Sequence, residues 1–389
     1  MIYLNNAATS WPKPPEVYKT ADKVLRGLSG GAGRGEGALD VGRVVFEARE
    51  RIASFFGIRE SEKLIFTCNA TVGINMVLYG LLAPGDHVVL SSMEHNAVAR
   101  LLYALKHRKG IEYTVVPCAP DGTLDPLEVE RALTPSTKLI CLVHASNVSG
   151  TIMPIEAVGE IASKHGIEFL VDAAQTAGEI PIDVEACHLT LMAITGHKAL
   201  MGPPGVGALY IKNPEKITPL ICGGTGSRSE ELAQPDFVPD KFESGTLNTP
   251  GIAALAAGVK FIQKFIQEKE IRNVRQRVQT LTQRLIQGLL KYPEVIVYGP
   301  LDPDKRTPAV SINIQGISPG EAAAWLAEKY GIATRPGLHC APLAHATLGT
   351  LSTGTLRLSP GYFNTEEEID TALYAIGEMI GVLRRGQRL

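Results

Sequence analysis

Between about residue 60 and residue 211, short apolar and β-branched runs alternate with stretches whose apolar positions recur every three to four residues. The runs at 63–67, 87–91, 112–116, 138–143, 168–172, 190–195 and 206–211 read as strands, and the stretches at 70–82, 96–107, 126–133 and 155–165 as helices between them. Apolar strands joined through helices predict a seven-stranded, mostly parallel sheet covered on both faces, an α/β architecture. Such sheets bind ligands beyond the carboxyl ends of their strands. Thr71, Asn147 and Asp172 fall just past predicted strand ends, which makes them candidates for ligand contact.

Downstream, residues 223–239 are rich in Gly and Pro. Thr249-Pro250 then reads as an N-cap followed by proline at the first helical position, opening a helical region to about Lys291 that bridges two domains. Strands at 295–298, 309–314 and 355–359, with helices at 319–330 and 366–383, predict a smaller α+β domain. Thr365 and Glu368 have capping-box spacing at the start of the last helix. The arm from Tyr3 to Pro15 is expected to pack on this second unit. The expected division is a large domain over 16–255 and a small domain formed by 1–15 and 256–389.

Composition narrows the classes of function. The chain has 389 residues, 45% of them hydrophobic and 20% charged, as in ordinary globular proteins. A formal net charge of −2 gives no bulk attraction to nucleic acid or to an anionic membrane. The first residues lack a basic segment followed by an apolar one, and no apolar stretch reaches 18 residues, so a cytoplasmic location is expected. The six cysteines are scattered without a C-x-x-C pair, which argues against a disulfide framework or a metal site. Cys141 sits in an apolar strand, whereas Cys340 lies among polar, Gly and Pro residues.

Several motifs carry chemistry. The glycine cluster Gly30 to Gly37 lacks G-x-G-x-x-G spacing and follows a helical pattern, so it is read as a substrate-facing loop and not as a dinucleotide site. Thr71, after a strand and at the start of a helix, is a candidate phosphate donor, with a simple helix cap as the alternative. His95 comes just after the run 87–91, where an imidazole can lie against a planar ring and move protons. Lys198, in Gly196-His197-Lys198, and Asp172, in Asp172-Ala-Ala-Gln175, look like an anchor for pyridoxal 5′-phosphate. That cofactor needs an amine to form a Schiff base and a carboxylate to keep its pyridine nitrogen protonated. Thr195 and His197 are further candidate phosphate contacts. In Arg335-Pro-Gly-Leu-His339-Cys340, an imidazole and a guanidinium neighbour a thiol, surroundings that favour a thiolate nucleophile. Arg357 has the forked donors to hold a substrate carboxylate.

Taken in order, Tyr3-Leu-Asn5-Asn-Ala-Ala-Thr9, Glu94-His95, Ser146-Asn147-Val-Ser-Gly150, Asp172-Ala-Ala-Gln175, Gly196-His-Lys198, Glu243-Ser-Gly-Thr246, Arg335 to Cys340, and Arg357 before Tyr362-Phe-Asn-Thr365 resemble class V aminotransferase-fold enzymes dependent on pyridoxal phosphate. The resemblance runs nearly end to end and is nearest to the group II, SufS-like cysteine desulfurases, a branch that also holds selenocysteine lyases. It implies the pyridoxal-phosphate-dependent transferase fold of type I, with Lys198 as the Schiff-base lysine, Asp172 as partner of the pyridine nitrogen and Gln175 on the ring hydroxyl. It implies His95 stacked on the ring and Thr71, Thr195 and His197 on the phosphate. Thr246 matches a phosphate contact from a second subunit, so a homodimer is implied. Asn147 and Arg357 match positions holding the substrate carboxylate, and Cys340 the thiol that accepts sulfur as a persulfide. The implied activity converts L-cysteine to L-alanine and passes sulfur to an acceptor protein, as in iron–sulfur cluster assembly. The alternatives are a selenocysteine lyase, a class V aminotransferase or lyase in which Cys340 is incidental, and a non-enzymatic scaffold that binds a sulfur carrier. Three features depart from the pattern: Asn5 stands where relatives often have aspartate, Leu338 where that branch has histidine, and residues 341–356 diverge.

Overall fold

The computed structural model describes residues 1–27, 38–267 and 274–387. Its main element is a seven-stranded sheet in the order Leu64–Thr67, Gly207–Ile211, Leu191–Thr195, Glu168–Asp172, Thr137–Val143, His87–Ser91 and Glu112–Val116. All neighbouring pairs are parallel except the two made by Gly207–Ile211, which runs antiparallel to both flanking strands. The cause is local. Parallel return needs a crossover of a dozen or more residues, usually helical, and residues 196–206 form only turns, so the chain comes back beside the strand it has left. That non-helical return carries Lys198 at the carboxyl end of its strand.

Strict alternation along the strands divides the core between the sheet's faces. Val88, Leu90, Leu139, Cys141, Leu170, Leu191 and Ala193 enter one cluster, with Ile74, Val77 and Leu102 of the helices Ala70–Leu81 and Asn96–Lys109. Val89, Ile140, Leu142, Phe169, Val171, Met192 and Ile194 enter the other, with Ile52, Val158 and Leu255 of the helices Ala38–Phe55, Ile155–His165 and Thr249–Gln267. Strands buried on both faces explain why the sequence runs were apolar throughout. The helices Asn96–Lys109 and Ile155–His165 each stop at a left-handed glycine, Gly110 and Gly166.

A four-stranded antiparallel sheet, ordered Arg335–Gly337, Thr355–Leu358, Val310–Ile314 and Val295–Tyr298, forms a third core with the helices Val274–Leu289, Pro319–Tyr330 and Glu366–Arg384. The amino-terminal strand Ile2–Tyr3 pairs in parallel with Ile332–Ala333, and Leu4 is fully buried in this third core. Thr365 and Glu368 make the expected capping box.

Some local expectations need correction. The cap before Thr249–Gln267 is Asn248, whose Oδ1 accepts from the Gly251 amide at 3.0 Å, so Pro250 is the second helical residue. Asn69, not Thr71, caps the helix Ala70–Leu81 by accepting from the Val72 amide. The helix Ala38–Phe55, the strand Arg335–Gly337 and the short helix Pro342–Thr347 were not anticipated. The glycine cluster Gly30 to Gly37 lies outside the described residues, as does 268–273 within the expected helical region to Lys291. No helix among the described residues is long and apolar enough to cross a membrane.

Candidate active site

The strand order reverses between His87–Ser91 and Thr137–Val143, the crevice where open α/β sheets place ligands. A cavity of about 320 Å³ opens there, within the roughly 300–1,000 Å³ usual for small-molecule sites. Ten sequence-chosen residues line it: Thr71, His95, Asn147, Asp172, Gln175, Thr195, His197, Lys198, Cys340 and Arg357. Thr246 is exposed and not among the lining residues.

Close backbone contacts shape the Lys198 turn. The Gly196 amide donates to the Val206 carbonyl, and a Cβ at 196 would lie 2.9 Å from that same oxygen, so only glycine fits. The amino-terminal arm clamps the turn from outside. Ser10 Oγ donates to the Lys198 carbonyl at 2.7 Å, while buried Lys13 Nζ donates to the His197 carbonyl at 2.8 Å and to Ser10 Oγ at 2.7 Å. Burial pushes the Lys13 ammonium down to about 8. Nothing in the sequence singled out Ser10 or Lys13, since their contacts run to backbone oxygens nearly two hundred positions away.

Burial also lowers Lys198, to about 8; Asp172 opposes that shift and Arg357 and Arg335 reinforce it. Burial thus raises the share of neutral, nucleophilic amine near neutral pH above that of an exposed lysine. Asp172 ends its strand almost fully buried, with Oδ1 accepting from the Ala174 amide at 3.0 Å. Gln175 Nε2 reaches back to the Ala7 carbonyl at 3.1 Å. His95 is the N-cap of Asn96–Lys109: its Nδ1 accepts from the Ala97 amide at 3.1 Å, which assigns the proton to Nε2. Its pKa is lowered, chiefly by burial. His197 is pushed down to about 4 by burial and by the two lysines. Behind these groups, fully buried Glu94 accepts from Ser91 Oγ at 2.6 Å and from the Val143 amide at 3.0 Å, and burial raises it to about 8.

Cys340 lines the same cavity with its side chain exposed. His339 and Cys340 both adopt left-handed backbone, at φ 48° and 60°, a conformation non-glycine residues hold only when their surroundings enforce it. The enforcement is visible. The Cys340 carbonyl accepts from the Asn96 amide at 2.8 Å and the His339 carbonyl from Asn147 Nδ2 at 2.6 Å, tying this segment to the start of the helix Asn96–Lys109 and to the loop after the strand Thr137–Val143. Arg335 Nη2 lies 3.8 Å from Cys340 Sγ. The expected imidazole neighbour is different: the His339 ring turns inward, Nε2 meets Thr355 Oγ1 at 3.0 Å, and burial pushes it down to about 2. It is therefore no cation beside the thiol; the Arg335 guanidinium takes that place, and Lys198 and Arg357 also act on Cys340 electrostatically.

Arg357, fully buried, donates to the Asn147 carbonyl at 2.8 Å and to Asn5 Oδ1 at 3.1 Å, and its Nε has no partner among the described residues. Arg335 is its direct cross-strand neighbour. Burial, then Arg335, lowers Arg357 to about 9. Asn147 thus holds both the Cys340 segment and Arg357, while its own Oδ1 has no partner among the described residues.

These features suit pyridoxal phosphate. Lys198, Arg335 and Arg357 face one buried carboxylate, Asp172, an excess of cations that matches a phosphate dianion and a substrate carboxylate. Thr195 Oγ1 is buried without a partner among the described residues, and the helix Ala70–Leu81 begins at the cavity, where first-turn amides lack helical acceptors. Among the described residues no group of three or more His, Cys, Asp or Glu side chains is arranged to hold a metal ion.

Comparison with known proteins agrees with this geometry. The family model for class V aminotransferases matches residues 2–372. A protein of Methanothermobacter thermautotrophicus named a probable cysteine desulfurase is 33% identical, the match covering 98% of this chain and 95% of that one. The apo structure of a cysteine desulfurase from Thermococcus onnurineus superposes with a TM-score of 0.89 at 31% identity, covering 98% of this chain and 94% of its own. The S-sulfonic acid form of an Escherichia coli cysteine desulfurase gives 0.86 at 26% identity, covering 98% and 94%. With nearly its whole length accounted for by one family model and by relatives of matching length, the chain belongs to the class V aminotransferase family.

Proposed function

We propose that this chain is a pyridoxal-phosphate-dependent cysteine desulfurase that converts L-cysteine to L-alanine and holds the sulfur as a persulfide on Cys340. The observation that carries this reading is the pairing, across one cavity, of a desolvated Lys198 with an exposed Cys340 beside Arg335. Lys198 would bind the cofactor, with Asp172 toward its pyridine nitrogen, Gln175 toward its hydroxyl, His95 against its ring, and Thr71, Thr195 and His197 toward its phosphate. Bound there, the cofactor supplies an electron sink that acidifies the substrate Cα–H.

This chain's residues do the rest. Arg357 takes the substrate carboxylate, and Asn147 holds Arg357 and the Cys340 segment in register. Lys198 Nζ, partly neutral because it is desolvated, accepts the Cα proton. Cys340 Sγ attacks the substrate sulfur: an S–S bond forms, the Cβ–S bond breaks, and its electron pair stays with the carbon skeleton, which is protonated and leaves as alanine. Tethering the Cys340 segment by two hydrogen bonds favours this attack by fixing the thiol's approach. The reading also includes a second copy whose Thr246 reaches the phosphate, a protein acceptor for the persulfide, and a cytoplasmic location.

The test is a product assay for alanine and protein-bound persulfide with L-cysteine. Cys340→Ala should abolish persulfide while retaining the visible absorbance of bound cofactor. Undiminished sulfur release by that variant would remove Cys340 from the reaction.

A further inference from the structure

Arg357 raises a problem of charge. It is fully buried, lies directly opposite a second arginine in the sheet register, and makes no ion pair among the described residues. Its hydrogen bonds go to two neutral acceptors, the Asn147 backbone carbonyl and the side-chain oxygen of Asn5. Two neighbouring guanidinium groups repel one another and pull an anion from solution. Asn5 is delivered to this place by the amino-terminal arm. Leu4 hydrogen-bonds Ala333 on one side and Ser359 on the other, and Asn5 bridges to Ser359, two residues beyond Arg357.

We propose that Asn5 is a specificity-determining positioning residue: by holding Arg357 through a neutral oxygen, it orients the guanidinium without neutralising it, and so sets the affinity of the site for the amino-acid carboxylate. The inference rests on the proposed cofactor and on Arg357 as the carboxylate site, and it goes beyond both. Asparagine and aspartate have nearly the same shape, so the hydrogen bond survives Asn5→Asp. What changes is charge: a resident carboxylate pairs with the buried fork and competes with the incoming one. An ion pair in place of an unpaired buried charge also stabilises the fold.

The experiment uses the cofactor-loaded protein and L-alanine, which carries the carboxylate but no sulfur, titrated by the change in cofactor absorbance. Asn5→Asp is expected to weaken L-alanine binding by about tenfold or more, to raise the KM for L-cysteine similarly with kcat within about twofold, and to raise the thermal midpoint. Asn5→Ala, which removes the acceptor but adds no charge, is expected to weaken binding by clearly less. Unchanged binding in Asn5→Asp, equal weakening in both variants, or a lower midpoint in Asn5→Asp would each overturn the proposal. If wild type instead fails to release alanine from L-cysteine while Asn5→Asp still weakens L-alanine binding, the desulfurase reading fails and the role of Asn5 stands.

Discussion

Asp172 and Lys198 do opposite electrostatic work at the same place. Burial drives the lysine toward its neutral form, and the aspartate limits how far it goes. Asp172→Asn keeps an acceptor for the Ala174 amide and removes only charge, so cofactor absorbance should remain while alanine release falls roughly 10²–10³-fold, the usual loss when one preorganised electrostatic partner is removed. Near-normal turnover would take the carboxylate out of the mechanism. Both residues were legible in sequence because they fall at strand ends in a fixed order, and the proposed cofactor chemistry demands those side-chain types. His339 was legible as a neighbour of Cys340 yet misread in role. Adjacency in sequence says nothing of ring direction, and left-handed backbone at His339 and Cys340 sends the two side chains into different surroundings. Asn5 was visible only as a departure from the family pattern, and Ser10 and Lys13 gave no signal, because their work lies in contacts with distant main chain and with Arg357.

Among elements, the helix Thr249–Gln267 supports the Lys198 turn from behind. Gly258 lets it approach so closely that a Cβ there would run into the Leu200 carbonyl oxygen. Gly258→Ala should therefore push the helix off the turn, destabilising the protein by about 1–3 kcal/mol as overpacking does, and should weaken cofactor binding. Denaturant unfolding and cofactor titration check the two effects, and a purely helix-propensity response would instead stabilise the variant. The parallel strands were readable as continuous apolar runs because both faces of the sheet are buried, and the helices between them by their three-to-four-residue period. The strand Arg335–Gly337 was not: three residues containing a proline hold no period, and only its pairing with Thr355–Leu358 makes it a strand. Likewise Asn248 displaced Thr249 as the cap, because several polar residues in a row are equivalent until the helix sets its first hydrogen bond.

For the whole molecule, buried titratable groups set the response to acid. His144, His339 and His345 are buried and pushed down to about 3, 2 and 4, and half-buried His197 to about 4, all by desolvation first. Below their unfolded pKa near 6.5 the unfolded chain takes up these protons and the native chain does not, so stability is lost as pH falls from about 6.5 toward 4. Glu94 and Glu179, raised to about 8 by burial, act in the opposite sense between about 4.5 and 8, but are fewer. The thermal midpoint of the cofactor-free chain should therefore drop between pH 6.5 and 4.5; a midpoint that rises over that interval would contradict it. The amino-acid sequence by itself determined the sheet, the order of the chemical motifs and the proposal of a cofactor, because short apolar runs, helical periodicity and residue type are local properties. Tertiary structure alone decided that Asn147 and Asn96 tether the Cys340 segment, that Lys13 clamps the Lys198 turn, and that Arg357 stays an unneutralised cation. Those outcomes depend on which distant groups meet and how much water is excluded between them, and neither quantity is written along the chain.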